Sequence, residues 1–470
     1  MKTLWMRTLA GAIALGAAPT SFAQAASNQS PAAIGASSTG NTPTGGIDLH
    51  MAYEAAALKT ETLGIQDQRT QQADAYLSQA RGGLFPNLAF NASYVRQDSA
   101  DAFASPSNTV TNAGGTTGPT YTTSPSAASN PNQWNARLTL TQPIFRGFRE
   151  FAGLRSATRL LESQRATSEQ ARLTLYASVA QAFFDVQIAE ADLVDLNGLL
   201  DLTRKRVQEL SARVRIGRSR EAEVLTAQTQ AINLEAQIEL GKNQLTQVRQ
   251  NFQFVTGLPS TTPLEHDASP LPQKLPQLKS YLDAGDARPD LKAARLLTES
   301  ADADVSVARG GHLPSLDFEA NYYLKRTVAG DNKWDLGLAL TFPIFQGGIV
   351  LAQTRKAAAR HEELDLSYSQ SRRQVALNLE SLYNSFQSEL EQLRLLDQAV
   401  KVADRNYQLE TRDYRYGLVT NIDVLQALDS LYQTKRTLDR TQYQARAAWV
   451  ALETGAGRIP GAPTRNWGTN

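Results

Sequence analysis

Two stretches of the chain place apolar residues at alternating spacings of four and three positions. The first stretch runs from Leu175 to Leu200 and resumes from Val207 to Val214, and the second runs from Val375 to Tyr414 with interruptions at Glu389 and Glu410. A sustained period of 3.5 residues is typical of helices that pack side by side as coiled coils. The chain therefore contains two regions of long, paired helices.

The positions of proline support this interpretation. No proline lies between Pro143 and Pro259 or between Pro343 and Pro460, whereas six fall from Pro259 to Pro289. A proline inside a helix costs about 3 kcal/mol, so its absence permits long helices. A continuous helix over 148–214 would be on the order of 100 Å long, far longer than an ordinary globular core.

A second pattern, with a period of two, occupies four shorter segments. Apolar and polar residues alternate along 88–97, 134–142, 316–325 and 334–342. Segments of this length with one apolar face are typical of transmembrane β-strands, and aromatic residues near their ends suit membrane interfaces. A sheet in a soluble protein gives the same alternation when one face is buried, so this alternative stays open.

The two patterns recur because the chain is an internal duplication. PIFRG at 143–147 matches PIFQG at 343–347, and RIGRSREAEVL at 215–225 matches RYGLVTNIDVL at 415–425, both at an offset of 200. ARGGLFP at 80–86 matches ARGGHLP at 308–314 at an offset of 228. The difference of 28 residues falls in a segment rich in Ser, Thr, Asn, Gly and Pro, which we expect to form a long loop outside the cell.

These landmarks divide the chain into repeats and flanking segments. The predicted divisions are a signal peptide (1–23), a low-complexity segment (24–47), a first repeat (48–258, with a helix, strands 88–97 and 134–142, and a helix pair over 146–256), a Pro-rich connector (259–287), a second repeat (288–456, with a helix, strands 316–325 and 334–342, and a helix pair over 347–454) and a tail (457–470). Lys2 and Arg7 precede an apolar stretch and small residues before Gln24, which is typical of an exported protein.

Composition narrows the chemistry further. The chain has 47 Lys and Arg against 46 Asp and Glu, which argues against a nucleic-acid partner. Cysteine is absent, so disulfides, thiolate metal sites, a Cys nucleophile and a lipid anchor on an N-terminal Cys are excluded. His361-Glu362 lacks the second histidine of a zinc motif. We therefore predict no enzyme activity, catalytic residue, metal or cofactor.

Four strands from one chain cannot close a membrane barrel, since the smallest barrels have about eight strands. An open edge in lipid would leave backbone groups unpaired at several kcal/mol each. If the strands span a bilayer, several protomers must share one barrel. Two copies would supply eight strands and three would supply twelve, and strand count alone leaves the number open.

The order of these features resembles the TolC family of outer-membrane factors. The resemblance covers about residues 48–456 and rests on the tandem plan, on PIFRG and PIFQG, on the paired glycine turns, and on ARPDLKAAR at 287–295 and ARGGHLPSLDF at 308–318. It implies a mainly α fold with a membrane part, in which a homotrimer forms a twelve-stranded β-barrel in outer-membrane lipid, continuous with a periplasmic α-helical barrel. The missing Cys resembles the unlipidated branch.

The resemblance also implies a function. Such a protein is an exit duct of a tripartite efflux or type I secretion system in the outer membrane of a Gram-negative bacterium. It is a passive conduit that a periplasmic adaptor opens and an inner-membrane pump, of RND or ABC type, drives. A periplasmic coiled-coil scaffold or adaptor without a membrane barrel is the alternative.

Two glycine turns are predicted to form the periplasmic tips. Gly217 and Gly417 break the proline-free tracts into helix pairs, because glycine adopts the left-handed conformation that reverses a chain. By resemblance, these turns are docking sites for the adaptor. The predicted docking residues are Arg215, Gly217, Arg218, Arg415, Gly417 and Leu418; Arg218 departs from the apolar residue expected there.

Residues beyond these turns are predicted to form the gate. By resemblance, Glu223 and Asp423 line the closed aperture, where three copies would bring six carboxylates together and favour cations. Tyr414 matches a residue that helps to hold the closed state, although its place in the apolar repeat also suits simple packing. Alternatively, each acid lies on a solvated face, or is neutralised by one of the nearby arginines Arg218, Arg220 and Arg415.

The PIFRG and PIFQG motifs are predicted to be swivels between strand and helix. Pro143 and Pro343 lack an N–H donor, so we expect each to end its strand. Gly147 and Gly347 then permit the unusual torsion or close packing that the change of direction needs.

Overall fold

A computed structural model of the chain describes residues 46–96, 132–266, 271–272, 274–327 and 332–460. These residues belong to one compact unit, Gly45–Asn470. The predicted signal peptide, almost all of the low-complexity segment, nearly all of the inserted loop and most of the tail lie outside the described residues. The elements are α1 (Leu49–Lys59), α2 (Glu61–Gly82), β1 (Asn87–Arg96), β2 (Asn132–Arg146), α3 (Arg149–Arg215), α4 (Glu221–Thr256), α5 (Leu278–Gly285), α6 (Pro289–Gly310), β3 (Ser315–Arg326), β4 (Trp334–Thr341), α7 (Ile349–Arg415) and α8 (Asn421–Gly455).

The two long helices have the length that the apolar repeat indicates. α3 and α7 each contain 67 residues, which corresponds to about 100 Å. α3 packs against α4 and α8, and α7 packs against α8. The four helices therefore lie side by side in the order α4–α3–α8–α7, with α4 and α7 at the edges.

The shorter helices pack on this layer near the strands. α6 packs against both α3 and α7, α2 packs against α3, and α5 packs against α7. The largest core cluster joins Phe183 and Phe184 of α3 to Phe252 of α4 and Val450 of α8. The interior thus connects the two repeats as well as the helices within each.

The four strands form one antiparallel sheet in the order β1-β2-β3-β4. The alternating apolar residues face each other across the strands, for example at Phe90 opposite Leu138 and at Tyr322 opposite Trp334. On the edge strands β1 and β4 these large side chains are exposed, with Leu338 at 66 %, whereas on the inner strand β2 residues such as Leu138 are half-buried. A mainly apolar outer face is the arrangement of lipid-facing strands.

The other face of the sheet is polar and hydrogen-bonded from strand to strand. The amide of Asn91 donates to the Thr139 hydroxyl at 3.4 Å, and this hydroxyl donates to Asn321 Oδ1 at 2.8 Å. The amide of Asn321 in turn donates to Asp335 at 2.9 Å. This chain of contacts crosses all four strands.

One swivel prediction is wrong. β2 does not end at Pro143, because Pro143 still pairs with Asp317 and the strand continues to Arg146. A register shift between Pro143 and Phe145 accommodates the missing N–H, as a bulge does in other sheets. In the second repeat, β4 ends at Thr341, two residues before Pro343.

Several predicted boundaries also differ from the structure. α3 begins at Arg149 rather than 146, because Gly147 (φ 67°) and Phe148 (φ 61°) are left-handed. α7 begins at Ile349 rather than 347, because two glycines precede it in the same conformation. The single helix predicted before the first strand is two helices, broken at the extended Thr60. The Pro-rich connector contains a helix, α5.

Within the described ranges, every helix is too short or too polar to cross a lipid bilayer.

Candidate gate at the helical tips

Both long helices end in the same hydrogen-bonded turn. At the end of α3, the amide of Gly217 donates to the Val214 carbonyl at 2.9 Å and the amide of Arg218 donates to the Arg213 carbonyl at 2.8 Å. Gly217 has a φ of 71°, and the pattern is a Schellman motif. The turn satisfies carbonyl groups that the helix end would otherwise leave unpaired.

The equivalent turn ends α7. The amide of Gly417 donates to the Tyr414 carbonyl at 3.1 Å, the amide of Leu418 donates to the Asp413 carbonyl at 3.0 Å, and Gly417 has a φ of 75°. Among the described residues, and apart from the neighbours along the chain, no atom lies within 4 Å of a Cβ built on Gly217 or Gly417. Glycine is therefore required at these positions by the backbone conformation and not by crowding.

The tips present apolar and basic side chains to solvent. Ile216, Tyr416 and Leu418 are 68 %, 75 % and 73 % exposed. The predicted docking arginines are also exposed: Arg215, Arg218 and Arg415. Large apolar side chains at the end of a rod, surrounded by positive charge, form a surface suited to a protein partner.

The helices that start after the turns are capped differently. In α8, the Thr420 amide donates to Asp423 Oδ2 at 2.8 Å and its hydroxyl lies 2.6 Å from the same oxygen, as part of a capping box. These hydrogen bonds lower the pKa of Asp423, the hydroxyl contributing most. In α4, the N-cap residue is Arg220, which makes no side-chain cap. Glu223, the counterpart of Asp423, is therefore free for other contacts.

Glu223 contacts the second repeat. Its Oε2 accepts a hydrogen bond from the Ser219 hydroxyl at 2.8 Å and from the Tyr414 hydroxyl at 3.3 Å. Its Oε1 lies 3.4 Å from the guanidinium of Arg220. Arg220, rather than Arg218 or Arg415, is thus the arginine that the structure places on this carboxylate.

Tyr414 is buried between the two repeats at this end of the molecule. It is 8 % exposed, and the guanidinium carbons of Arg206 and Arg213 lie 3.9 Å and 4.9 Å from the centre of its ring. Stacking of a guanidinium on an aromatic ring is favourable, and more so away from water. Tyr414 therefore packs between the helices and also donates a hydrogen bond to Glu223. Its role in holding the closed state stays a prediction.

Arg206 also contacts the second repeat, and sequence reasoning missed it. It is 7 % exposed, donates from Nε to the Asn421 side chain at 2.8 Å and pairs with Glu209 at 2.9 Å. Asn421 is the first residue of α8 and is 1 % exposed. The one signal in the sequence is the gap in the first apolar repeat between Leu200 and Val207.

The structure thus brings Glu223, Tyr414, Arg206 and Asn421 together from α4, α7, α3 and α8. We define these four residues as the tip junction. Asp423 is not part of it, because its carboxylate is engaged at the start of its own helix. The swivel glycines lie at the other end of α3 and α7, where a Cβ on Gly147 would overlap the Gly310 carbonyl oxygen but one on Gly347 would meet open space.

The described residues contain no group of three or more His, Asp or Glu side chains that could hold a metal ion. The arrangement at the tips consists instead of reversible contacts: hydrogen bonds, cation–π stacking and apolar packing between helices. Contacts of this kind suit a part of the molecule that opens and closes.

A family model described as "Outer membrane efflux protein" matches residues 52–258 and 281–458. The chain belongs to the outer membrane efflux protein family. The chain is 25 % identical over 433 residues to outer membrane protein TolC of Salmonella enteritidis, which covers 88 % of this chain and 82 % of that protein. It is 28 % identical over 334 residues to the pyoverdine export outer membrane protein OpmQ of Pseudomonas putida, which covers 67 % and 70 %.

The same fold occurs in solved structures. The outer membrane protein VceC from Vibrio cholerae superposes with a TM-score of 0.75 at 22 % identity, covering 87 % of this chain and 96 % of that one. The predicted fold class is confirmed, as is the prediction of an outer-membrane exit duct for efflux or secretion. This member of the outer membrane efflux protein family therefore lies in the outer membrane, with a large periplasmic part.

Proposed function

We propose that three copies of the chain form a passive duct that the tip junction holds closed and that a periplasmic adaptor opens. An inner-membrane pump then supplies the energy for export. The observation that carries this proposal is the tip junction, in which the first repeat supplies Arg206 and Glu223 and the second supplies Tyr414 and Asn421. Opening requires the two helix pairs to separate at this point.

The edges of the protomer support assembly with other copies. β1 and β4 are edge strands, which lipid does not tolerate unless they pair with another chain. The edge helices α4 and α7 each carry a stripe of exposed apolar residues on one helical face. These are Leu225, Ile232, Leu240 and Phe254 on α4, and Leu366, Leu377, Leu395 and Val402 on α7. Three copies give twelve strands, which leaves a water-filled interior.

The contacts at the tip support a closed state that is easily opened. A single hydrogen bond contributes about 0.5–1.5 kcal/mol net, and a partly desolvated cation–π contact contributes about as much. Glu223 and Tyr414 are joined only by non-covalent contacts. An adaptor that binds the open form more tightly by a few kcal/mol can therefore shift the equilibrium from the closed to the open form.

The exposed apolar tips support adaptor docking. Tyr416 and Leu418 lie directly after the helix that carries Tyr414, so a partner that binds them acts within one helical turn of the junction. Three-fold repetition of Glu223 and Asp423 would add a ring of acids beside the aperture, which favours cations.

The gate is tested by single-channel recording in planar bilayers. Tyr414→Phe removes the hydroxyl that reaches Glu223 and keeps the ring, so we expect a several-fold increase in the open fraction, and a larger one for Tyr414→Phe combined with Arg206→Met. Tyr416→Phe is the matched control, because this tyrosine is exposed, and it should leave the recordings unchanged. Wild-type recordings from the double variant would contradict a gate at the tip junction.

Docking is tested separately in cells that express the matching adaptor and pump. Leu418→Asp should abolish export while the protein still assembles in the outer membrane, whereas Val194→Asp, on an exposed part of α3, should export normally. Normal export by Leu418→Asp would remove this turn from the docking surface.

A further inference from the structure

A second polar cluster lies between α3 and α8, away from the tip junction. It consists of Asp195 on α3, Lys435 and Asp439 on α8, and His266 in the segment after α4. Asp195 lies about 16 Å along α3 from Arg206 at the rise of an α-helix. The cluster therefore joins the first repeat to the second on the same two helices that meet at the tip.

Asp195 is the buried member of the cluster, with only 2 % of its side chain exposed. Its Oδ1 accepts a hydrogen bond from the Lys435 ammonium at 2.7 Å. Its Oδ2 is buried and has no donor among the described residues. The carboxyl group of Asp439 interacts with that of Asp195, so a proton on Asp439 would supply a donor to this carboxylate.

The surroundings favour that proton. Burial, followed by the charge of Asp195, raises the pKa of Asp439 to about 6, and the opposing effects of Lys435 and His266 are each smaller. Two adjacent carboxylates cannot both ionise without mutual repulsion. With one proton shared, Lys435 balances the remaining charge, whereas without it the seam holds two negative charges against one positive charge.

The neighbouring charges on each packed element are already paired. On α3 and α8, Asp192 accepts two hydrogen bonds from Arg436 at 2.7 and 2.9 Å. On α8, the Lys435 ammonium also lies 5.9 Å from the centre of the Tyr432 ring. Burial raises the pKa of Tyr432, so this tyrosine stays neutral near pH 6; Tyr407 of α7 and Asp201 of α3 are its other titratable neighbours.

The connector group beside Asp439 also has a partner. His266 shares a hydrogen bond with the Tyr443 hydroxyl, 2.6 Å from Nε2. Of the described groups around Asp195, Asp439 is the carboxyl group that interacts with it directly.

We propose that Asp439 and Asp195 form a proton-operated clasp between α3 and α8, in which a shared proton fastens the two repeats and its loss loosens them. Below about pH 6 the protonated Asp439 donates to Asp195 Oδ2 and the seam is closed. Above this pH the two carboxylates repel each other, and α8 separates from α3 more easily. The clasp thus disfavours opening in acid.

The consequence for the channel rests on the proposed gate, whereas the clasp itself does not. α8 carries both Asp439 and the junction residue Asn421, and α3 carries both Asp195 and Arg206. A separation of α8 from α3 at the clasp therefore favours separation at the tip as well.

The clasp is tested by thermal unfolding of the full-length protein in detergent between pH 5.0 and pH 7.5. Because the folded protein binds the Asp439 proton more tightly than the unfolded chain, stability is gained as pH falls through 6 and lost as it rises. We expect the wild-type melting temperature to fall by a few degrees from pH 5.0 to pH 7.5. Asp439→Asn, whose amide donates at every pH, should remove this slope.

Three further variants make the test decisive. Asp195→Asn should also flatten the slope, and it serves if Asp439→Asn does not fold. Asp192→Asn, which breaks a neighbouring ion pair, should lower stability at every pH and keep the slope. A slope that persists in Asp439→Asn, or that disappears only in His266→Gln, overturns the clasp.

Bilayer recordings at the same pH values test the link to the gate. The wild-type open fraction should fall several-fold at pH 5.0, and the fall should be absent in Asp439→Asn. A flat wild-type open fraction together with a normal unfolding slope would retain the clasp and reject its coupling to the gate. Absence of any wild-type channel would instead contradict the proposed function.

Discussion

The first and second repeats supply equivalent long helices, yet α3 buries 25 of its 67 residues and α7 buries only four of the same number. Both helices carry the apolar repeat, and Glu389 and Glu410 interrupt it in α7. Position contributes to the difference. α3 lies between α4 and α8 and also packs against α1, α2 and α6, whereas α7 packs against α8, α6 and α5 and leaves an apolar stripe exposed. A long helix of this chain buries its apolar positions fully only when other helices pack on both of its sides.

The same contrast recurs at the tips. Asp423 of the second repeat caps its own helix, whereas Glu223 of the first has no capping duty and reaches across to Tyr414. Duplication thus produced two copies of one plan, of which the first supplies the interior and the second supplies an edge. Each repeat then acquired contacts that its counterpart lacks.

The largest effect is expected in the core of α3. Phe183 is fully buried and packs against Phe184 and Phe252 with ring centres 5.5 and 6.5 Å apart. Phe183→Ala should destabilise the protein by about 3–5 kcal/mol, because it removes a large buried side chain and leaves a cavity. Urea unfolding at fixed protein concentration measures the change.

Val194, also on α3 but 70 % exposed, is the control for this substitution. Val194→Ala should alter stability by no more than about 0.5 kcal/mol. Equal effects of the two substitutions would mean that α3 is not the interior helix of the layer.

A substitution on the edge helix α7 is expected to prevent assembly and not folding. Leu395→Arg places a charge in the exposed stripe of α7, so it should leave the protomer folded and prevent assembly, because an unpaired charge does not fit an apolar interface. Migration of unheated samples in SDS gels, together with gel filtration in detergent, measures the loss of the oligomer.

Gln408→Arg is the matched control on the same helix. Gln408 is exposed and lies about 140° around α7 from Leu395, so the added charge should be tolerated. Loss of the oligomer in Gln408→Arg but not in Leu395→Arg would show that the interface lies on the face of α7 that carries Gln408, and not on the exposed apolar stripe.

The helices and strands could be predicted because the spacing of apolar residues in the sequence follows the side of each element that is apolar. Leu379 and Phe386 follow the 3.5-residue period and are fully buried, and Phe90 and Leu138 follow the two-residue period and share one face of the sheet. The course of β2 past Pro143 was not predictable in this way, since a bulge depends on the partner strand rather than on the strand's own sequence.

The tip residues were only partly predictable. Glycine at 217 and 417 indicates a turn wherever it occurs, and Glu223 and Tyr414 could be located by resemblance. Arg206 could not, because a buried arginine has no local sequence signature and depends on partners more than 200 positions away, here Tyr414 and Asn421. The clasp at Asp439 is similar, since its carboxyl partner is on the other repeat.

The smallest and most specific effect is expected where the two repeats differ in helix capping. Arg220→Thr would give α4 the Thr-x-x-acid pattern that α8 has, so Glu223 should turn back to cap its own helix. We expect the start of α4 to gain about 0.5–1 kcal/mol, seen as slower local amide exchange. The same variant should raise the open fraction in bilayers, because Glu223 then leaves Tyr414.

Thr420→Ala is the reciprocal change and should cost the start of α8 about 1 kcal/mol without touching Tyr414. This variant separates the effect of helix stability from the effect on gating. We expect faster amide exchange at the start of α8 and an unchanged open fraction. If Arg220→Thr stabilised α4 and yet left the open fraction at the wild-type value, the contact between Glu223 and Tyr414 would be incidental. The closed tip would then depend on Arg206 and on apolar packing alone.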